Sequence, residues 1–182
     1  MQQEEFDEFV KRQQGGATLA VSVDWNKERD EWLGHLKSLY SKIESLLKKY
    51  TSAGQIRFEY RNVELTEEQI GSYSATQMNL WIGRQEVLLM PIGTLLVGAK
   101  GRVDVIGPLG RAEILLVDRL ASSPGSLIHV SFGVGGKVPP APRKAANTVS
   151  WEWKIVTRPP ERRFVEVTQQ SIFQLIMEVT NG

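Results

Sequence analysis

Glu152 and Lys154 flank Trp153 in the run Trp151–Val156, and Asp104 and Asp118 lie in or close earlier apolar runs. In an extended chain residues i and i+2 share a face, so Glu152 and Lys154 project side by side. Two carboxylates near such a pair can hold a divalent cation while the ammonium stabilises charge building on a phosphate. That chemistry is metal-dependent cleavage of a phosphodiester, with Asp104, Asp118, Glu152 and Lys154 as candidate catalytic residues. The same alternation has a plainer outcome. Trp151, Trp153 and Ile155 take the dry face of a strand, and Glu152 and Lys154 are the polar alternates on its wet face.

By residue type, Asp118 with Glu152-Trp153-Lys154 resembles the Asp…Glu-x-Lys constellation of the restriction-endonuclease-like nucleases. The resemblance implies that the acids hold Mg²⁺ and the lysine meets the phosphate. The interval from Asp118 to Glu152 is long and contains a Pro-rich loop. Gly133-Val134-Gly135-Gly136-Lys137 offers closely spaced amides and a lysine, which suit a phosphate. A Walker-type loop, however, needs glycine where Ser131 stands and Ser or Thr where Val138 stands, and Pro139 and Pro140 prevent the helix that should follow. His129 shares no sequence neighbourhood with an acid or with His35 and reads as structural. No Gly-x-Ser-x-Gly elbow occurs.

Charge sets a second group of candidates. Lys137, Arg143, Lys144, Arg158, Arg162 and Arg163 crowd a stretch that also holds Lys154, Trp151, Trp153 and Phe164. Basic groups beside aromatics bind phosphodiester backbones or acidic peptides, so these six are the candidate ligand-binding residues. Glu161 and Glu166 stand close enough to neutralise Arg162 and Arg163. Arg102, Asp104, Arg111 and Glu113 read as cross-strand ion pairs over a short hairpin.

Composition narrows the classes. The 182 residues carry no cysteine and only two histidines, which removes disulfides, thiolate zinc sites and a cysteine nucleophile. No resident metal or other cofactor is expected. The net charge is +1, with 11 basic against 14 acidic side chains in residues 1–90 and 11 against 7 in residues 91–182. That asymmetry steers partners only weakly at physiological salt. The acidic start lacks an apolar secretory core, and no apolar run reaches the roughly 18 residues of a membrane span. The expected place is the cytoplasm, away from membranes.

The elements that must position these residues follow from periodicity. Residues 2–14 predict a short helix, ended by Gly15-Gly16, and residues 17–23 an edge strand or connector. From Asp24, a good N-cap, to Ser52 the pattern predicts one long helix. Trp32, Leu36, Leu39, Ile43, Leu46 and Tyr50 make a seam on it that docks either on the chain's own core or on a protein partner, self or other. After Gly54 the period becomes two. Strands are expected at Gln55–Val63, Met78–Ile82, Glu86–Met90, Arg102–Ile106, Arg111–Asp118, Leu127–Phe132, Thr148–Val156 and Arg163–Val167, with hairpin turns at Gly83-Arg84-Gln85 and Gly107–Gly110. Residues 133–147 form a basic Gly/Pro loop. Thr168 caps a final amphipathic helix with Ile172, Phe173, Leu175, Ile176 and Val179 on its apolar stripe.

The expected fold is therefore α+β. N-terminal helices, one short and one long, precede a seven- or eight-stranded, mainly antiparallel sheet, twisted or barrel-like, closed by a C-terminal amphipathic helix. Residues 1–54 form the helical segment and 55–182 the β domain, together one folding unit. Strands followed by one C-terminal helix over 55–182 make the order similar to a pleckstrin-homology-like barrel. The expected function is a non-enzymatic binding or assembly module that uses the long helix and the basic loop face, with an oligomer following if the seam meets a second copy. Two alternatives stand beside it: a metal-dependent phosphodiesterase or nuclease built on Asp118, Glu152 and Lys154, and a nucleic-acid binder without catalysis.

Overall fold

The computed structural model describes residues 23–94, 98–127 and 149–181. The expected helix over 2–14, the strand residues 128–132 with His129, and the loop 133–147 with Lys137, Arg143 and Lys144 lie outside the described residues. So does the segment 17–22.

Helix α1 (Trp25–Leu46) starts where Asp24 accepts hydrogen bonds from the backbone N–H of Asn26 and Lys27, satisfying amides that a helix start otherwise leaves open. The expected single helix to Ser52 is broken. Leu47 leaves helical geometry at φ −100°, and the short helix α2 (Lys48–Ser52) follows. Leu47, one turn beyond Ile43, rather than Leu46 takes the last core position and is 1% exposed.

Among the described residues seven strands come next: β1 (Ile56–Glu67), β2 (Gly71–Ile82), β3 (Gln85–Gly93), β4 (Gly101–Ile106), β5 (Arg111–Asp118), β6 (Trp151–Val156) and β7 (Phe164–Glu166). Each pairs antiparallel with its successor in one sheet of order β1 to β7. The sheet is open. Among the described residues the barrel-like alternative is not realised, and β1 and β7 are the two edges of the sheet. Leu127, expected to begin a strand, instead ends a 3-10 turn at Pro124–Leu127.

Register decides what is buried. Met78, Leu89, Val105 and Ala112 stand in one row, and Val103, Ile114 and Ile155 in another. These rows face Trp32, Leu36, Leu39, Ile43 and Leu47 of the helical segment. They also face Ile172, Leu175, Ile176 and Val179 of helix α3 (Gln169–Asn181) in a single hydrophobic core. Thr168 caps α3 as expected, accepting from Ser171 N–H at 3.2 Å. The turn after β4 is tied to its far end, where Leu109 N–H donates to the Val179 carbonyl at 2.9 Å. Among the described residues no helix is long and apolar enough to cross a membrane.

At the other end of the core, Gly101 opens β4 beneath the ring of Trp32, where any Cβ would penetrate the indole. Trp32 also meets Trp153 at 5.9 Å between ring centroids, and the Trp153 indole N–H donates to the His35 carbonyl of α1 at 3.0 Å. Lys100 binds Glu28 and Glu31 and lies over the Trp151 ring. Burial, and then the nearby Lys100 charge, hold the His35 imidazole below the ordinary histidine value of 6.5, with Glu31 opposing. The unfolded chain therefore takes up that proton more readily than the folded one, and stability present above pH 6.5 is lost as pH falls below it. A His35→Gln variant is expected to show a shallower decline between neutral and mildly acidic pH in urea titrations. A decline as steep as the parent's would assign it to other groups.

Candidate functional site

Strand β2 stops pairing with β3 partway along its length, although it pairs with β1 to its end. The ladder runs from Ile82↔Gln85 to Met78↔Leu89; continued in register it would set Gln77 opposite Met90 and then Thr76 opposite Pro91. The two-residue turn closing on Ile82 and Gln85 requires that pair to be hydrogen-bonded. Even-numbered β2 residues therefore point their main-chain groups toward β3, and Pro91 has no N–H to offer in return. Tyr40 replaces it. Its hydroxyl donates to the Thr76 carbonyl at 2.8 Å and reaches the Leu89 carbonyl at 3.3 Å. Beyond this point the β1–β2 ribbon leaves the sheet. Two-stranded ribbons twist strongly, and the opposite face turns inward, which buries Tyr73 and Ala75 beside α1.

The separation leaves a cleft of about 440 Å³ between α1 and the ribbon. Leu33, Leu36 and Ala75 provide apolar surface, Lys37, Ser41 and Glu44 line the helix side, and Ser74, Thr76 and Tyr60 the ribbon side. Tyr60 hydrogen-bonds Glu44 across it, and its ring stands 6.3 Å from that of Tyr40. Burial raises the ionisation of both hydroxyls well above the usual tyrosine range, assisted at Tyr60 by the bond to Glu44. Both thus remain protonated donors at neutral pH. Ser74 has the parity of Thr76, so its N–H and C=O lie on the same outer edge, and its residue is exposed.

The candidate catalytic residues do not gather. Asp118 stands opposite Trp151, whereas Glu152 stands opposite Val117 and Lys154 opposite Leu115, so register sends Asp118 to the other face of the sheet. Lys154 is not a wet alternate but is 8% exposed. Its ammonium donates to the carbonyls of Arg119 at 2.7 Å and Ala121 at 2.8 Å. Asp118 accepts from Leu120 N–H in the same turn. The two residues thus meet through a turn they both stabilise, with the lysine donors directed at main chain. Asp104 is also buried. It binds Arg102 through both carboxylate oxygens, at 2.6 and 3.2 Å, and Arg111 at 3.7 Å. Among the described residues no group of three His, Asp or Glu side chains is placed to hold a metal ion.

The described basic candidates each meet an acid: Arg158 with Glu178, Arg162 with Glu113 at 2.7 Å, and Arg163 with Glu161. The helix seam is occupied as well. Trp32, Leu36, Leu39 and Ile43 are buried by the chain's own sheet, Leu46 is half-buried at its margin, and Tyr50 packs edge-on against Phe173 at 5.5 Å. The sheet thus takes most of the apolar surface of α1 along this seam. Sequence reasoning missed Tyr40, Ser74, Thr76 and Pro91. Pro91, directly after the apolar run Glu86–Met90, was the available signal that this stretch has an unpaired side.

No protein-family model, no curated protein and no solved structure matches the chain.

Proposed function

We propose that the protein is a non-enzymatic binding module that receives an extended peptide as an added strand on the outer edge of β2, with α1 as the opposite wall. The observation that carries this reading is the interrupted β2–β3 ladder. Among the described residues it leaves Ser72 and Ser74 without a β3 partner, beside a cleft of ligand size. Strand addition draws affinity from main-chain hydrogen bonds and specificity from pockets for alternate side chains. Leu33, Leu36 and Ala75 suit an apolar side chain, and Lys37 and Ser41 suit a polar one beside it. The long helix takes part as a groove wall, not as a coiled-coil strand. The alternatives have weaker support: phosphate chemistry would need the Lys154 ammonium, now seated on two carbonyls, and nucleic-acid binding would need arginines that now meet acids.

A displayed library of random nonapeptides tests the reading. Enriched peptides are expected to bind the parent and to bind Ser74→Pro at least about tenfold more weakly, a loss of about 1.4 kcal/mol. Proline there removes only an outward N–H and leaves the β1 ladder intact. Failure to enrich any peptide, or equal binding to a folded Ser74→Pro protein, would refute strand addition at β2.

A further inference from the structure

The other sheet edge offers a second site with an independent argument. Strand β1 is 12 residues long and, among the described strands, pairs with β2 alone. Its register with β2 directs the main chain of odd-numbered residues inward, so Ile56, Phe58, Tyr60, Asn62 and Glu64 carry outward N–H and C=O groups. Tyr60, Asn62 and Glu64 are exposed, and Tyr60 is 47% accessible despite its large ring. Charged residues on an edge strand ordinarily obstruct pairing. Here their order is selective. Arg57, Glu59 and Arg61 share one face, and Glu59 lies 3.1 Å from Arg57 and 3.7 Å from Arg61.

We infer that β1 pairs antiparallel with β1 of a second copy of this chain, about a two-fold axis at Tyr60, to form a dimer with one continuous sheet. In that register Tyr60 meets Tyr60, Phe58 meets Asn62 and Ile56 meets Glu64, all through outward-directed main-chain groups. Glu59 stands opposite Arg61 of the other copy, and Arg61 opposite its Glu59. The four charges alternate around a square, attractive both along and across the strands. Centring the axis on Glu59 sets Glu59 against Glu59 and Arg57 against Arg61. Centring it on Arg61 sets arginine against arginine. An axis at Phe58 matches Arg57 with Glu59 but pairs only Ile56–Tyr60. Of these four registers the Tyr60 one is the longest in which unlike charges meet. The interface is isologous, so every cross-strand contact away from the axis occurs twice and each charge change is doubled.

Sedimentation equilibrium and light scattering of the full chain, from micromolar to hundreds of micromolar, test this. The parent is expected to be a dimer. Glu59→Arg and Arg61→Glu singly should each weaken dimerisation at least about tenfold, since both put like charges opposite one another. The double variant Glu59→Arg/Arg61→Glu should restore it to within about twofold of the parent. Asn62→Pro, which removes one outward N–H without touching the ladder to β2, should give a folded monomer. A parent that stays monomeric overturns the inference, as does a double variant no tighter than either single one. An Arg61→Glu protein as dimeric as the parent overturns the Tyr60 register. Because Ser74 is on the opposite strand of the ribbon, Ser74→Pro should leave the mass unchanged, which separates this result from the peptide reading.

Discussion

Trp32→Ala is expected to lower the free energy of unfolding by about 3–5 kcal/mol, read from urea denaturation with the slope unchanged. The indole is fully buried, lies against Trp153 at one side and Gly101 at another, and links α1 to β4 and β6. Removing it deletes apolar burial and leaves a cavity that three rigid elements cannot close together. Gly101→Ala approaches the same contact from the other side. A methyl there enters the space of the ring, and overpacking of this kind costs about 1–3 kcal/mol. The two changes should not add. In a Trp32→Leu background the smaller side chain vacates the space over the β4 backbone, so Gly101→Ala should cost less than it does in the parent. If the costs are simply additive, the glycine does not serve the indole and the close approach is incidental.

That contact also shows what a periodicity argument can and cannot reach. The seam Trp32, Leu36, Leu39 and Ile43 was legible from spacing, and so were the caps at Asp24 and Thr168, most strand positions and two of the three short hairpin turns, those at Gly83-Arg84 and Gly107–Gly110. Each depends on residues near in sequence. The partner of the seam was not legible, since an apolar stripe has the same pattern whether a sheet or another helix covers it. Strand β2 was expected only from Met78, because Gly71–Gln77 lies in a ribbon whose twist buries Tyr73 and Ala75 at the opposite parity from Met78 and Leu80. The residues around the cleft were hidden for a related reason. Tyr40 and Thr76 are joined across 36 positions, and Pro91 acquires its meaning only once register places it opposite Thr76. Alternation puts Lys154 on the wet face and makes Asp104 a member of a cross-strand ion pair, yet both are buried. Their burial follows from neighbours that alternation does not describe: a turn carrying two carbonyls for the lysine, and two arginines for the acid.

Asp104→Leu is the sharpest test of that last point. Asp104 is 2% exposed and takes a two-point hydrogen bond from Arg102, and this bond raises the hold of Arg102 on its proton above the ordinary arginine value. Arg102 also reaches Glu113 at 3.3 Å, which is shared with Arg162. Removing one member of a buried ion pair costs about 3–5 kcal/mol because the other is left buried and unmatched. Arg102 keeps Glu113 and some solvent, so the expected loss here is about 2–3 kcal/mol. Replacing both partners, as Asp104→Leu/Arg102→Leu, should cost less than Asp104→Leu alone, since no uncompensated charge remains. A carboxylate kept for catalysis or for an absent cation would behave in the opposite sense, because an acid held without sufficient compensation gives up a desolvation cost when it is removed. Equilibrium unfolding of the two variants decides between these outcomes. A folded Asp104→Leu protein more stable than the parent would return Asp104 to the catalytic candidates, and a double variant worse than the single would show that Arg102 is held by something other than this acid.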